Sequence, residues 1–213
     1  MDNLVEVIKR SLNKGLPGTE VQWKMASSDR MVLDYPRKRK SGSKLGAVLI
    51  LIYPVGDKYC TVFIQRPDYD GVHGGQIGFP GGKMESKDST LTETALREAC
   101  EETGICKDDL NLLGHLTPLY IPVSDIEVTP IIACLDDIPE FRINRQEVVY
   151  LIEADLSRFL DPSIIKERAM EVRGNIMNVK YFDYEDHIIW GATAMMLYEL
   201  LVIAEREGIN FEV

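Results

Sequence analysis

Leu4, Val5, Ile8 and Leu12 recur at intervals of three and four residues ahead of Gly15, a spacing that predicts an N-terminal amphipathic helix. From 45 to 54 the chain is almost wholly apolar, and from 59 to 66 it is rich in β-branched and aromatic residues. Both stretches predict strands, the first buried on its two faces. Segment 71–82 contains six glycines, which favour turns and let backbone come close to a ligand. A helix is predicted from about 89 to 103, with Asp88 as its N-cap, Thr90 and Glu93 as a capping box, and Gly104 as the stop. Leu96, Ala99 and Cys100 form a packing stripe on that helix, roughly opposite Glu98, Glu101 and Glu102. Further apolar runs at 127–134 and 147–153 read as strands, and Ala192 to Ile203 reads as a long C-terminal helix with Gly208 beyond it. No internal repeat or low-complexity linker interrupts the order, so the pattern predicts an α/β chain of the α+β type.

The acidic face of the 89–103 helix is where chemistry enters. Residues three and four apart share a helix face, so Glu98, Glu101 and Glu102 project together. Like charges at that spacing cost roughly 0.2–0.5 kcal/mol per pair, and a divalent cation is one reason to hold them together. Carboxylates suit Mg²⁺ or Mn²⁺. A solvated acidic face is the other reading, and spacing alone does not choose between them.

Two longer motifs decide the matter by resemblance. Gly82, five residues, Asp88, eight residues, then Arg97-Glu98-Ala99-Cys100-Glu101-Glu102-Thr103-Gly104-Ile105 resembles the Nudix box, with one residue more than the general form and Asp in place of its first Glu. Upstream, Arg66 through Phe79-Pro80-Gly81-Gly82 keeps the spacing of the signature of the coenzyme A pyrophosphatase subgroup of Nudix hydrolases. Pro67 stands where that signature has Ser or Ala, and Gly71 where it has a second Arg. Later segments, Leu116-Thr117-Pro118-Leu119-Tyr120 through Val128-Thr129-Pro130, Glu147-Val148 and Trp190-Gly191-Ala192-Thr193-Ala194, are similar to the same subgroup.

The resemblance implies an α/β/α sandwich with a mixed β-sheet at 45–213, preceded by a helix and basic loop at 1–44. It implies metal-assisted hydrolysis of a phosphoanhydride. Glu98, Glu102 and Glu101 are the expected Mg²⁺ or Mn²⁺ ligands, with the carbonyl of Gly82 completing the set and Arg97 orienting the glutamates. The general base is left open between Glu147 and Glu98. Arg66, His73, Gln76 and Phe79 are the expected substrate contacts. The implied substrate is coenzyme A or an acyl derivative, with ADP-ribose or another nucleoside diphosphate derivative as the alternative, and a non-catalytic nucleotide-binding module as the third reading.

Composition narrows the setting. Lys plus Arg number 24 against 34 Asp plus Glu, a net charge of 24 − 34 = −10, which argues against a general binder of nucleic acid or anionic membrane. The longest apolar run, 45–55, contains Pro54 and is too short to span a bilayer. Without a signal-like N-terminus the expectation is cytoplasmic, with a homodimer left open. Cys60, Cys100, Cys106 and Cys134 show no metal-finger spacing and are expected to be reduced and structural. The run Arg37-Lys38-Arg39-Lys40 is the chief basic patch, either a solvated loop or a contact for a nucleotide's phosphates.

Overall fold

A computed structural model describes residues 2–28, 39, 41–68, 73–106, 110–172 and 174–213. The chain begins with α1 (Asp2–Lys14) and a single turn, α2 (Thr19–Gln22), that runs into a 3₁₀ turn at Trp23–Met25. The hairpin of β1 (Lys44–Val55) and β2 (Lys58–Gln65) follows, then the short strands β3 (Ile77–Gly78) and β4 (Gly81–Lys83), and helix α3 (Leu91–Thr103). Next come β5 (Asn111–His115), β6 (Leu119–Ile121), β7 (Ile126–Cys134) and β8 (Tyr150–Asp155). A small antiparallel sheet of β9 (Ile165–Val172), β10 (Asn175–Tyr184) and β11 (His187–Trp190) precedes the C-terminal helix α4 (Gly191–Glu207).

The main sheet runs β3-β2-β1-β7-β5, with β4 on β1, β6 on β7 and β8 on β2. Strand β1 pairs in parallel with β7 from Lys44↔Ile126 to Ile52↔Cys134, and its other pairings are antiparallel, so the sheet is mixed. Strands β1 and β2 meet only near their shared turn, from Tyr53↔Cys60 to Val55↔Lys58. Beyond that they part, and β4 takes the freed edge of β1 while β3 takes that of β2. The Phe79-Pro80 step therefore crosses from one strand edge to the other, and the site is built at this fork.

The apolar run in β1 reflects burial on both faces. Ala47, Leu49, Leu51 and Tyr53 pack with Ala95, Leu96 and Ala99 of α3, while Ile50 and Ile52 face the core shared with α1 and α4. A sheet covered by helices on both sides is the expected α/β/α sandwich.

Several sequence expectations are corrected. Thr90, not Asp88, caps α3: its side chain accepts from the Glu93 amide at 3.1 Å, and Glu93 accepts from the Ser89 amide at 2.7 Å. Asp88 is engaged elsewhere. The strand expected at 147–153 starts at Tyr150, because residues 145–147 turn sharply before it. Cys100 and Cys106, expected to be reduced, are joined in a disulfide across Gly104, with Cα atoms 4.5 Å apart, while Cys60 and Cys134 are free, as expected, and lie buried. The β9–β11 sheet had no counterpart in the sequence reading. Of the basic run, Arg37, Lys38 and Lys40 lie outside the described residues, and Arg39 is 3.7 Å from Glu127. No helix among the described residues is long and apolar enough to cross a membrane.

Candidate active site

Helix α3 packs its apolar stripe under β1 and lifts its acidic face toward the β3–β4 turn. Glu102 is the most deeply placed of the α3 glutamates, at 1% exposure. Its two oxygens are held separately: Oε2 accepts from the Gly81 amide at 2.7 Å and Oε1 from the Arg66 guanidinium at 3.1 Å. Arg66 also donates to the Gly81 carbonyl at 2.8 Å, so the arginine clasps the glycine turn and the helix together. Burial pushes the Glu102 carboxyl up to about 7, against the pull of Arg66 and the Gly81 N–H, with Glu98 and Glu147 adding to the rise.

The two box glycines have separate physical reasons. Gly81 has φ +148, and a Cβ there would run into the Ala47 carbonyl and Val48 on β1. At Gly82 a Cβ would sit 2.5 Å from the Glu98 carboxylate, so the missing side chain is what lets Glu98 lie on the turn. The Gly82 carbonyl points toward β1, where a Cβ on Gly46 would be 2.6 Å from it.

Arg97 fixes Glu98. Its Nε and Nη2 grip the Asp88 carboxylate in a fork, both at 2.9 Å, while Nη1 donates to Glu98 at 2.9 Å and to Glu101 at 3.0 Å, and Nη2 to the Lys83 carbonyl at 3.1 Å. Asp88 further accepts from the Glu85 amide at 2.9 Å and the Thr94 hydroxyl at 3.1 Å, and the Arg97 fork holds its carboxyl well below the usual range. The position that departs from the general box thus anchors the arginine. Burial raises the Glu98 carboxyl above its ordinary value, opposed by Arg97.

Glu98, Glu102 and Glu147 each bring a carboxylate oxygen into one group, all within 4.8 Å of one another. Three hard oxygen donors from two parts of the chain fit a divalent cation of the Mg²⁺ or Mn²⁺ type. Glu101 stands outside this trio, exposed and paired with Arg97 and Lys87. Glu147 joins it from the turn before β8, although nothing in its local sequence spacing would have placed it there.

The other expected contacts divide. His73 and Gln76 lie together on the glycine-rich loop, His73 Nδ1 being 3.2 Å from Gln76 Oε1, and the Gln76 carbonyl accepts from the Arg66 amide at 3.1 Å. Phe79 is 1% exposed, its ring 4.8 Å from that of Phe63, because the step between β3 and β4 needs an apolar seat in the core. Sequence reading missed the Asp88 clasp on Arg97 and the segment that delivers Glu147. For the first, helical spacing gave no signal, because Asp88 lies in the loop before α3, nine residues ahead of Arg97.

The NUDIX domain family model matches residues 44–187. An uncharacterised Nudix hydrolase, NudL, from Photorhabdus laumondii is 33% identical over 171 residues, 80% of this chain and 91% of that protein. The mouse peroxisomal coenzyme A diphosphatase NUDT7 is 29% identical over 173 residues, 78% of this chain and 73% of its own. Among solved structures, the Nudix hydrolase RenU from M. smegmatis shares the fold with a TM-score of 0.55 at 17% identity, over 77% of this chain and 87% of that one. Since the family model covers more than half of the chain and falls on the very strands and helix that assemble the carboxylates, this chain belongs to the Nudix hydrolase family.

Proposed function

We propose that this Nudix pyrophosphatase cleaves the diphosphate of coenzyme A or an acyl-coenzyme A, giving 3′,5′-ADP and 4′-phosphopantetheine or its acyl form. The reading is carried by the convergence of Glu98, Glu102 and Glu147 beneath a Phe79-Pro80-Gly81-Gly82 turn clasped by Arg66. For the substrate, it is supported by the kept spacing from Arg66 to Gly82 and by the likeness to the mouse coenzyme A diphosphatase.

Glu98, Glu102 and Glu147 would hold Mg²⁺ or Mn²⁺. When bound, such an ion offsets the charge of the diphosphate and acidifies a coordinated water. The chain's own residues divide the remaining work. Arg66 and the Gly81 amide keep the buried Glu102 in place, and Arg97, anchored on Asp88, keeps Glu98 on the glycine turn. Glu147 is exposed at the mouth of the group and suits acceptance of the proton from the attacking water, with Glu98 as the rival base. His73 and Gln76, on the loop that Arg66 joins to the turn, are proposed to meet the substrate.

ADP-ribose hydrolysis is the second reading, favoured by Gly71 at the position where the subgroup signature carries a cation. With Mg²⁺ present, coenzyme A, ADP-ribose and NADH should be compared by kcat/KM with products identified by mass spectrometry. Coenzyme A should give the highest value, because the remote pantetheine and 3′-phosphate help align the diphosphate. A rate for ADP-ribose equal to or above it would move the assignment to the second reading, and failure to cleave any of the three would remove the proposal.

A further inference from the structure

The final carbonyls of a helix have no partner within it and must find one elsewhere. In α3 they find it in the segment that carries Glu147. The Thr103 carbonyl accepts from the Arg142 amide at 2.7 Å, and the Glu102 carbonyl from the Asn144 amide at 3.1 Å. Gly104 makes this approach feasible: its φ is +78, and a Cβ there would lie 2.8 Å from the Cβ of Arg142 and 3.1 Å from its nitrogen. The glycine that stops the helix also admits the backbone laid across its end.

Asn144 is the hub of that segment. Its carbonyl accepts from the amides of Glu147 at 3.0 Å and Val148 at 2.9 Å, and its Oδ1 accepts from the Gln146 amide at 3.1 Å. Its Nδ2 donates to the Glu147 carboxylate at 3.3 Å. One residue thus bonds the backbone of Glu102 and the side chain of Glu147, two of the three converging carboxylates. The far end is fixed as well. Val148 is fully buried, and the Val149 amide donates to the Gln65 carbonyl at 2.9 Å, one residue before the Arg66 that holds Glu102.

We infer that Asn144 is a positioning residue for this site: it sets the Glu147 carboxylate at a fixed place relative to Glu102 and so determines how tightly the trio takes up a divalent ion. The inference rests on the proposed metal-dependent hydrolysis but is read out by metal binding. Asn144 acts through Glu147, whose carboxylate its Nδ2 holds. A purely structural turn residue would need only an acceptor for the Gln146 amide, which Asn144→Ser keeps as an ST turn while losing the Nδ2 donor and adding no charge. That difference separates the two roles.

The test uses the full chain and Mn²⁺ alone, with affinity from titration calorimetry and folding from the thermal midpoint. Asn144→Ala and Asn144→Ser should each weaken Mn²⁺ binding roughly tenfold, the usual scale for removing a group that orients a metal ligand. Asn144→Ser should stay close to the wild-type midpoint, so it decides the question even if Asn144→Ala folds poorly. In a Glu147→Gln background, adding Asn144→Ala should bring no further loss. Under turnover, the Mg²⁺ concentration for half-maximal rate should rise and kcat fall while substrate KM stays near wild type. Wild-type Mn²⁺ affinity in Asn144→Ser, or an undiminished effect of Asn144→Ala in the Glu147→Gln background, overturns the inference. A wild-type chain that binds Mn²⁺ yet cleaves no diphosphate would count against the proposed function only, leaving the role of Asn144 decided by the binding data.

Discussion

Glu102 concentrates the electrostatic tension of the site in one side chain. Buried, and with its carboxyl pushed up to about 7 from the ordinary 4.5, it favours a proton in the folded, metal-free protein. The unfolded chain releases that proton near pH 4.5, so the folded state binds more protons between there and about 7. Its contribution is therefore complete below pH 4.5 and lost as the pH rises through 7, on the order of 3 kcal/mol. In chelator, the thermal midpoint of the wild type should fall across this window relative to Glu102→Gln, and a parallel course of the two would contradict the burial argument. With Mg²⁺ present, the same substitution should lower turnover at least ~100-fold, because a charged oxygen ligand becomes a neutral amide. An unchanged rate would mean that the trio is an ordinary acidic face. Helical spacing alone put Glu98 and Glu102 side by side, so these two residues were legible from the start. Glu147 was named through the resemblance alone, since its place depends on hydrogen bonds between segments over 40 residues apart in the chain, which no local spacing announces.

Among the elements, α3 shows what a sequence can announce and what it cannot. Its apolar stripe, capping box and terminal glycine are local signals, and each matches the folded helix apart from the shift of the cap from Asp88 to Thr90. The disulfide at its end is not local in that sense. Cys100 and Cys106 come within reach only because Gly104 turns the chain back in the left-handed conformation. Closing so short a loop is worth about 2 kcal/mol in the chain-entropy account. Reduction with a dithiol, or Cys106→Ser, should therefore lower the thermal midpoint by several degrees. A midpoint that does not respond would show that the strap of residues 142–148 already holds the helix end without the bridge. The β9–β10 hairpin escaped notice because β9 and the first half of β10 are largely exposed and mix charged with apolar positions, while the buried Val179, Tyr181, Phe182 and Tyr184 come only at the far end of β10.

At the scale of the whole molecule, the N-terminal segment is joined to the sandwich by a buried carboxyl group. Glu199 on α4 is fully buried and accepts from the Gly18 amide at 3.0 Å, Gln22 Nε2 at 2.8 Å and the Thr117 amide at 3.2 Å. Glu199→Ala would leave those donors unsatisfied and should cost roughly 3 kcal/mol, measurable by urea unfolding. A cost under about 1 kcal/mol would mean that the apolar faces of α1 and α2 suffice to seat the segment. By contrast, removing divalent metal should stop hydrolysis and leave the circular-dichroism spectrum intact, because the site lies beside a packed core rather than substituting for one. Loss of the folded signal on chelation would reverse that view. The parallel pairing of β1 with β7 has a consequence in time. Its partners, such as Lys44 and Ile126, are 126 − 44 = 82 residues apart, and a chain must close that whole loop before the pairing returns any stabilisation. During refolding from denaturant, helical ellipticity should recover in an early phase, and the capacity to bind Mn²⁺ should follow in a later one, when the sheet that bears the fork finally zips.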